Sequence, residues 1–404
     1  MSQATATHAD SVEMRLGGEL YPITPFLSGF TWTESLIRGG WFWSLDFAAD
    51  AWAEWTPLLL GRSRTGLQFR MATQEDGEHI STEWRSAYVD NSRTMFRGTT
   101  MLGHIEGADR RLELEQVHRI RAFSELTTAE IVRAIGLEHG MEVIAEATSE
   151  RRIRTLQIQE TDWAFLRRLA LEEASQSGRG DLYLWIDENE LHLGAPVLQK
   201  ASDRKHDMDR VENRVDRLIL SYAGRGIDRM GGATLRAIGF DFDTKRGISY
   251  DVDLGASQTH PSLAGRVPRA QSDGLRVAPV SCARPGRVEA AARGRWGKLA
   301  PRYFGLRVDT RPDLTLHPGR ILEMQASLGE DQETPFMGRF VVLEVQHAMV
   351  RGSITTTAVC YRREAFIGEE EPSGSKAENV QTRDPYIFGS PTTQRVIVTA
   401  EELD

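Results

Sequence analysis

The pattern of apolar and polar positions predicts strands over most of residues 14–120. The segment from Trp41 to Trp52 is aromatic and partly alternating, and five of the nine tryptophans fall between Trp32 and Trp55. Such a segment is typical of an aromatic sheet face packed on a core. A platform that stacks sugars or bases is the alternative interpretation.

Two further strand predictions follow in this part of the chain. Residues 81–107 indicate two strands joined by a turn at Asp90 and Asn91, because these residue types favour turns. Residues 111–123 alternate, which predicts a half-buried strand. One face of that strand is expected to carry Leu112, Leu114, His118 and Ile120.

The spacing changes to that of a helix after residue 126. Thr127 and Glu130 stand three residues apart, which is the capping-box spacing at a helix N-terminus. Gly140 suits the end of this helix, since glycine tolerates a left-handed backbone. The apolar side of the helix is predicted to comprise Ile131, Val132, Ile135 and Leu137.

Residues 157–174 combine a short alternation with helical spacing. Leu156 and Ile158 share one face of a predicted strand, and Thr161 or Asp162 can cap the helix that follows. The apolar stripe of that helix comprises Phe165, Leu166, Leu169 and Ala170. A hairpin with a turn at residues 187–190 is predicted next, so the local order is helix, strand, helix, hairpin.

Composition divides the chain into segments. Residues 198–214 are highly charged and predict a solvated connection, whereas residues 255–301 are rich in Gly, Pro, Ala and Arg and predict a loop or small insertion. The predicted organisation is a flexible N-terminus at 1–13, a first domain at 14–197, the connection at 198–214, a second domain at 215–254 and 302–366, the insertion at 255–301, and an extended tail at 367–404. Residues 393–400 could add a strand to a partner.

The charge and the cysteine content restrict the class of protein. The formal net charge of −9 argues against a surface built to neutralise phosphates. Two cysteines imply no disulfide framework and favour a reducing compartment. No apolar run approaches the roughly 18 residues of a membrane-spanning helix, and the N-terminus lacks the apolar core of a signal peptide.

Motifs that carry chemistry are missing from the sequence. It contains no GxxxxGK[ST] phosphate loop, HExxH metal motif, CxxC pair or GxSxG elbow. The segment at Gly224 begins like a dinucleotide turn, but Arg229 replaces the third glycine. His139 and Glu142 stand three apart without a further metal ligand nearby in sequence, and His347 is interpreted as a hydrogen-bonded sheet histidine. We therefore predict no catalytic, cofactor-binding or metal-binding residues.

One enzymatic interpretation stays open at this point. Four acids lie among the N-terminal tryptophans, where a sugar hydrolase could use a pair of them; they are Glu34, Asp46, Asp50 and Glu54. Acids on the polar face of strands and turns are the simpler explanation.

Residues 158–174 resemble a segment of the phage late-control D and VgrG-type hub proteins, in which a strand leads through Glu-[ST]-Asp into an aromatic helix. The matching positions are Glu160, Thr161, Asp162, Phe165, Leu166 and Leu169. A second match, to the closing block of the family, comprises Pro318, Gly319, His347, Gly352 and Arg362. Together the matches span roughly residues 110–195 and 300–365, in the order of the family.

The resemblance implies a predominantly β, α+β fold with two tube-type β-barrel domains, flanking helices and smaller inserted domains, assembled as a trimeric ring. It implies a structural baseplate hub of a contractile, phage-like tail that adapts a six-fold tube to a three-fold spike. The implied partners are two further copies, the tail tube protein, a separate spike, other baseplate proteins and DNA in transit. The implied location is the virion baseplate, assembled in the host cytoplasm.

Alternatives remain beside this interpretation. No spike domain of the OB type follows Arg362, so the resemblance implies a spike encoded as a separate chain. A tail-associated peptidoglycan hydrolase is the alternative from another functional class. A spike that carries effectors in a contractile secretion system is the third.

Overall fold

Strands make up most of the protein in the computed structural model. It describes residues 10–48, 66–75, 78–97, 100–148, 152–177, 182–196, 199–200, 206–207, 215–222, 234–241, 246–253, 275–279, 288–289, 304–325, 338–350, 352–362 and 393–398. Three α-helices stand in this part of the chain: α1 at Arg111–Glu115, α2 at Thr128–Glu138 and α3 at Asp162–Ser177. The predicted α+β, predominantly β class is confirmed. Within the described residues, no helix is long and apolar enough to cross a bilayer.

The strands are numbered in chain order. Those before α1 are β1 (Ser11–Leu16), β2 (Glu19–Pro22), β3 (Leu27–Ser35), β4 (Gly40–Ala48), β5 (Leu67–Glu75), β6 (Glu78–Ser81), β7 (Arg85–Ser86), β8 (Tyr88–Arg97) and β9 (Thr100–Ala108). Those among and just after the helices are β10 (His118–Leu126), β11 (Glu142–Ala145), β12 (Arg152–Thr161), β13 (Tyr183–Asp187) and β14 (Glu190–Gly194).

The remaining strands follow residue 198. They are β15 (Gln199–Lys200), β16 (His206–Asp207), β17 (Val215–Tyr222), β18 (Thr234–Asp241), β19 (Arg246–Asp253), β20 (Leu275–Pro279), β21 (Phe304–Thr310), β22 (Arg320–Gln325), β23 (Gly338–Val350), β24 (Ser353–Arg362) and β25 (Thr393–Val398). A short 3-10 helix, Thr24–Phe26, precedes β3.

The largest sheet joins strands from both ends of the chain. Its order is β17-β21-β24-β23-β3-β4-β9-β8, and β22 branches from β23 to meet β15 and β16. The antiparallel pairing of β3 with β23, with Trp32 opposite His347, makes this connection. One continuous sheet therefore extends from strands near the N-terminus to strands after residue 300.

The inner face of the large sheet packs on a second sheet. That sheet has the order β2-β1-β5-β6, with β7 also paired to β5. The ring of Phe69 on β5 lies 5.6 Å from the ring of Phe30 and 4.9 Å from that of Trp43. Trp32 stacks on Trp41 at 4.9 Å, and all three tryptophans are almost completely buried. The aromatic-core interpretation is confirmed for these tryptophans, which are too buried to stack a ligand.

The outer face of the large sheet is polar. Side chains alternate between the two faces of a strand, so the neighbours of the buried aromatics point outward. The described charged side chains of this polar face include Asp46, Arg93, His104, Glu106, Arg307, Asp309 and Glu344, and Arg38, Asp90 and Arg111 lie beside them. Hydroxyl and amide side chains, among them Thr31, Ser44, Gln346 and Thr357, lie between them.

Residues 111–194 form a unit that we call the helical module. Strands β10 and β12 pair as a two-stranded ribbon, and β11, β14 and β13 form a three-stranded sheet. Helices α2 and α3 contact both sheets and share one hydrophobic core with them. The ring of Phe165 on α3 stacks on that of Phe123 in the ribbon at 5.7 Å, which fixes the helix on the ribbon.

Helix α2 begins and ends where its sequence predicts. The hydroxyl of Thr127 accepts a hydrogen bond from the Glu130 amide at 3.2 Å, and the Glu130 carboxylate accepts one from the Thr127 amide at 2.7 Å. Gly140 follows with φ +65°. The predicted apolar side is wrong at one position, because Leu137 is 67% exposed. It stands one residue beyond the stripe that faces the core.

A four-stranded sheet has the order β20-β18-β19-β25. Its strand β20 comes from the segment rich in Gly, Pro and Arg, and it runs parallel to β18. Strand β25 pairs antiparallel with β19. The strand expected to add to a partner therefore pairs within its own chain.

Two predictions about local structure are wrong. Asp90 and Asn91 form no hairpin turn, because β8 continues through them and a register shift beside Val89 absorbs the extra residue as a bulge. Residues Arg111–Glu115 form helix α1 instead of a strand. The Asp109 carboxylate accepts a hydrogen bond from the Arg111 amide at 2.9 Å, which favours a helical turn at this point.

Candidate functional site

The first group of family-signature residues surrounds the N-terminus of α3. Asp162 is 1% exposed, and its carboxylate accepts a hydrogen bond from the Gln157 amide nitrogen at 2.9 Å. His139 Nε2 lies 2.9 Å from the other oxygen, and Arg121 and Arg119 pair with the same carboxylate. Burial alone would raise the pKa of Asp162, but these hydrogen bonds and charges outweigh burial and lower it.

The other members of the first group hold α3 in place. Thr161 Oγ1 accepts a hydrogen bond from the Ala164 amide at 3.2 Å, and Glu160 pairs with Arg168 at 3.0 Å. Phe165, Leu166 and Leu169 are fully buried in the core of the helical module. These positions act in packing and capping of one helix.

The second group lies elsewhere, along β22, β23 and β24. The Gly319 amide donates to the Val342 carbonyl at 2.8 Å, and Pro318 precedes it at the rim of a cleft. His347 is 1% exposed on the inner face of β23, and its Nδ1 lies 2.9 Å from Thr356 Oγ1. The interpretation of His347 as a hydrogen-bonded sheet histidine is confirmed.

Gly352 and Arg362 complete the second group at the two ends of β24. Gly352 has φ +79° in the turn between β23 and β24, where a side chain would be strained. Arg362 is the last residue of β24 and lies opposite Phe340. The structure therefore does not bring the two signature groups together into one site.

A cleft of about 480 Å³ opens where the helical module meets both sheets. The turn between β3 and β4, strand β13 and the loop before β22 contribute to it. The polar and aromatic lining residues include Glu34, Trp41, Arg85, Trp185, Asp187 and His317. Sequence analysis singles out only Glu34 and Trp41 of this set.

Glu34 is held as an ion in this cleft. Its carboxylate accepts a hydrogen bond from Trp32 Nε1 at 3.0 Å and lies 2.8 Å from His317 Nδ1. Burial alone would raise the pKa of Glu34, but His317, together with the charge of Arg85, holds it well below the usual range of a carboxylic acid. Both oxygens of Glu34 are therefore engaged by the protein itself.

Arg85 links Glu34 to the hairpin of the helical module. Its guanidinium pairs with Asp187 and lies 3.7 Å from Glu188. Burial alone would lower the pKa of Arg85, but Glu34 and Asp187 raise it above its ordinary value. Burial raises the pKa of Glu188 against the opposing charge of Arg85. The cleft thus holds acids and a cation that neutralise one another.

The geometry bears on the paired-carboxylate interpretation. Asp46 lies opposite Gly29, five residues along β3 from Glu34, which corresponds to about 17 Å. The two carboxylates also lie on opposite faces of the sheet, whereas glycosidase pairs stand within about 9.5 Å. Glu34 and Asp46 therefore cannot act together. Asp50, Glu54, Trp52 and Trp55 lie outside the described residues.

No metal site is found in the described part of the chain. Its His, Cys, Asp and Glu residues form no group of three with the geometry to hold an ion. His139, weighed as a metal ligand with Glu142, instead hydrogen bonds Asp162. The turn at Gly224 to Arg229 lies outside the described residues.

Several residues of these clusters carry no local sequence signal. Arg121 donates to Gln157 at 2.7 Å across 36 positions of sequence, and His317 meets Glu34 across 283. Partners so distant leave no spacing pattern in a single chain. Trp185 and Arg85 are missed for the same reason.

Comparison with known proteins shows a likeness of fold. No family model matches the chain, and no curated protein matches its sequence. The structure is similar to the 43 kDa tail protein of prophage MuSo2 from Shewanella oneidensis, with a TM-score of 0.58 and 15% identity over 88% of this chain and 99% of that one. It is also similar to the tail protein from Neisseria meningitidis MC58, with a TM-score of 0.60 and 11% identity over 88% of this chain and 97% of that one. The chain therefore has the fold of these phage tail proteins.

Proposed function

We propose that the chain is a structural baseplate hub of a phage-like, contractile tail, without an active site. Three copies form a ring that adapts the six-fold tail tube to a three-fold spike, and the ring encloses part of the DNA conduit. Each chain supplies two tube-type domains, residues 14–197 and residues 215–254 with 302–366. The fold shared with two tail proteins supports this proposal.

The large sheet is the observation that carries the proposal. Among the described residues, β8 pairs only with β9 and β17 only with β21, so both ends of the sheet present unpaired backbone groups. Open edges of this kind are usually paired or covered in a finished assembly. A ring of copies pairs them without any further chain, because the end of one sheet meets the beginning of the next.

The polar face of the large sheet suits the inside of a DNA conduit. Its described side chains include five carboxylates, on Asp46, Asp90, Glu106, Asp309 and Glu344, against four guanidinium groups, on Arg38, Arg93, Arg111 and Arg307. An excess of acids repels phosphates, so DNA passes without binding. The net charge of −9 per chain adds to this repulsion.

The proposed partners follow from this role. They are two further copies of the chain, the tail tube protein, a separately encoded spike, other baseplate proteins and DNA in transit. The proposed location is the baseplate of the virion tail, after assembly in the host cytoplasm.

Light scattering of the purified chain, alone and mixed with its spike, tests the ring. The expected mass is three times 45.3 kDa in at least one of the two conditions. Negative-stain images of that species should show a ring with a central channel. A species of another mass in both conditions, or a compact trimer without a channel, contradicts the proposal.

A tail-associated peptidoglycan hydrolase is the second candidate. The observation that favours it is the cleft itself, where the acids Glu34 and Asp187 lie beside the aromatic side chains of Trp41 and Trp185. Incubation with purified peptidoglycan decides between the two. Release of soluble fragments that is lost in Glu34→Gln supports the hydrolase, and no release supports the hub.

A further inference from the structure

The ribbon of the helical module exposes apolar side chains on the face that points away from α2 and α3. Ile120 is 75% exposed, and its cross-strand neighbour Ile158 is 60% exposed. Leu156, two residues before Ile158, is 41% exposed and lies opposite Ala122. Three large aliphatic side chains thus form one contiguous strip, which is unusual on a free surface.

The opposite face of the ribbon is turned to the core and combines the ring of Phe123, stacked on Phe165, with a buried polar network. Gln157 is completely buried, accepts a hydrogen bond from Arg121 Nε at 2.7 Å and donates one to Asp162. Arg121 also donates to Glu138 on α2 at 2.6 Å. The ribbon therefore carries apolar side chains on both faces, whereas a solvated strand pair usually has a polar outer face.

This orientation is fixed by the structure. A bulge leaves Gln159 unpaired, with φ +52°, between the pairs Ile120–Ile158 and Arg119–Glu160. A slip by one residue would exchange the two faces, but it would also break every hydrogen bond of the buried polar network. The apolar strip is consequently held in contact with water, which is unfavourable. A partner surface that covers the strip would remove this contact.

The three-stranded sheet of the helical module has an outward face of opposite character. Glu142, Glu190 and Asp187 lie side by side across its strands and form one acidic row, whose Asp187 end borders the cleft and pairs with Arg85. The adjacent row consists of Ile144, His192 and Trp185. Ile144 is 48% exposed, and the ring of Trp185 stacks on that of His192 at 4.7 Å. This face therefore combines an apolar row with an acidic border.

The two outward faces are complementary. The ribbon strip is bordered by exposed Arg154 at one end and exposed His118 at the other. Both sheets cover the same core with their inner faces, so their outer faces point away from it in different directions. Two different patches on one chain make a head-to-tail contact, which closes into a ring when the rotation permits.

We propose that the apolar ribbon face of one protomer packs on the outward face of the three-stranded sheet of the next protomer. The proposal rests on the ring described above and names one of its contacts. A ribbon two strands wide and nine residues long has a face of about 300 Å². A stable interface buries about 800 Å² on each partner, which is more than this face supplies. The contact therefore forms part of a larger ring interface and not a dimer interface of its own.

Substitutions on the exposed strip test the contact without disturbing the fold. Ile120→Asp and Ile158→Asp place a charge where the wild-type side chain faces solvent in the single chain, so the melting temperature of the monomer should stay within a few degrees. The concentration of half-assembly should rise at least tenfold. Leu20→Asp is the matched control, because Leu20 is 56% exposed on β2, in another sheet, and should leave assembly unchanged.

Charge reversal tests which surface receives the ribbon. Arg154→Glu and Glu142→Arg should each weaken assembly, and the double variant should recover at least part of the loss, measured by sedimentation velocity. If the loss of assembly in the double variant equals the sum of the two single losses, the three-stranded sheet is not the receiving surface.

The outcomes separate this proposal from the ring itself. A wild-type trimer that the Ile120 and Ile158 variants leave intact overturns the contact and retains the ring. Open chains of copies without a defined size, which these variants shorten, retain the contact and overturn the ring. A chain that stays monomeric at every concentration, with and without spike, overturns both.

Discussion

The carbonyl of Gly39 accepts a hydrogen bond from the amide of Ile186 at 3.1 Å, which ties the turn between β3 and β4 to the helical module. Arg167 and Arg111 donate to the neighbouring carbonyls of Ile37 and Arg38. On its other side the turn is bound to β23 through the Leu36 amide. This turn therefore sets the position of the helical module on the large sheet.

Gly39→Ala should lower the free energy of unfolding by more than the strain of placing alanine at a positive φ. Gly39 has φ +81°, and an added Cβ would lie 2.5 Å from the Leu184 carbonyl oxygen and 2.7 Å from the Trp163 ring. Gly140→Ala is the control, because Gly140 has φ +65° with nothing within 4 Å of the added atom. Strain should cost about 1–2 kcal/mol in the control. Chemical denaturation should give a clearly larger loss for Gly39→Ala, and equal losses would contradict the tight fit.

Leu169 of α3 is completely buried in the core of the helical module. Leu169→Asp should abolish folding or assembly, because it places an unpaired charge in this core. Leu171→Asp, on the same helix, should fold normally, since Leu171 is 55% exposed. Circular dichroism and soluble yield measure the difference. A Leu169→Asp protein with the wild-type melting temperature would refute this placement of α3.

Asp162→Asn should cost about 3 kcal/mol of unfolding free energy. The substitution keeps the shape of the side chain but leaves the guanidinium groups of Arg119 and Arg121 without the buried carboxylate that neutralises them. Glu160→Gln should cost less than about 1 kcal/mol, because its partner Arg168 is partly exposed and also pairs with Glu172. Urea denaturation of both variants makes the comparison, and similar losses would argue against the Asp162 network as the anchor of α3.

The lowered pKa of His347 should reduce stability as the pH falls from 6.5 to about 4, whereas the pKa of Asp109, which burial raises to about 7, acts in the opposite direction over that range. Burial lowers the pKa of His347 to about 4, so the unfolded chain binds a proton below pH 6.5 while the folded chain does not. This effect alone amounts to about 3 kcal/mol at pH 4. The lowered pKa of Glu34 acts in the same direction below pH 4.5, because the folded chain keeps that carboxylate ionised.

Relative to the wild type, His347→Gln should remove one loss of stability between pH 6.5 and 4.5, measured as the urea midpoint at each pH, while the opposing contribution of Asp109 remains. His118→Gln is the control, since His118 is exposed and should leave the profile unchanged. A wild-type slope retained in His347→Gln would assign the dependence to another group.

Neutralising acids on the polar face of the large sheet should slow DNA ejection. The double variant Asp309→Asn, Glu344→Gln removes two carboxylates from each copy. The face then repels DNA phosphates less strongly, so the DNA binds transiently and moves more slowly. Glu83→Gln removes an acid in the cleft instead and should leave the rate unchanged. Ejection from particles that carry each variant gives the rates, and identical kinetics would remove the conduit role of this face.

Sequence reasoning succeeds where one segment carries its own signals. Thr127, Glu130 and Gly140 mark both ends of α2 within a few positions of one another, and α3 has its capping residue beside its apolar stripe. The buried tryptophans of β3 and β4 alternate, so their role in the core is also readable. Each of these features depends on neighbours along the chain.

The ribbon shows why the rest is not predictable locally. The alternation at Leu156 and Ile158 predicts one shared face but does not say which face is buried. That choice depends on Gln157 meeting Arg121 in β10 and Asp162 in α3, and on Glu138 in α2. Burial of the polar groups beside Phe123 becomes favourable only when all of these partners are present together. The cleft is unpredictable for the same reason, because its charges come from segments far apart in sequence.

The pairing of β3 with β23 also sets the order of events during synthesis. Strand β3 emerges early from the ribosome, but the strand that completes its hydrogen bonds comes from near the other end of the chain. At a translation rate of roughly 5–20 residues per second, about 15–60 s pass between the synthesis of β3 and that of β23. Contacts of such long range make folding slow, and they leave a strand edge open to wrong partners meanwhile. The large sheet closes only after β23 and β24 have been translated, so a copy becomes competent to associate only once residues up to 362 have emerged.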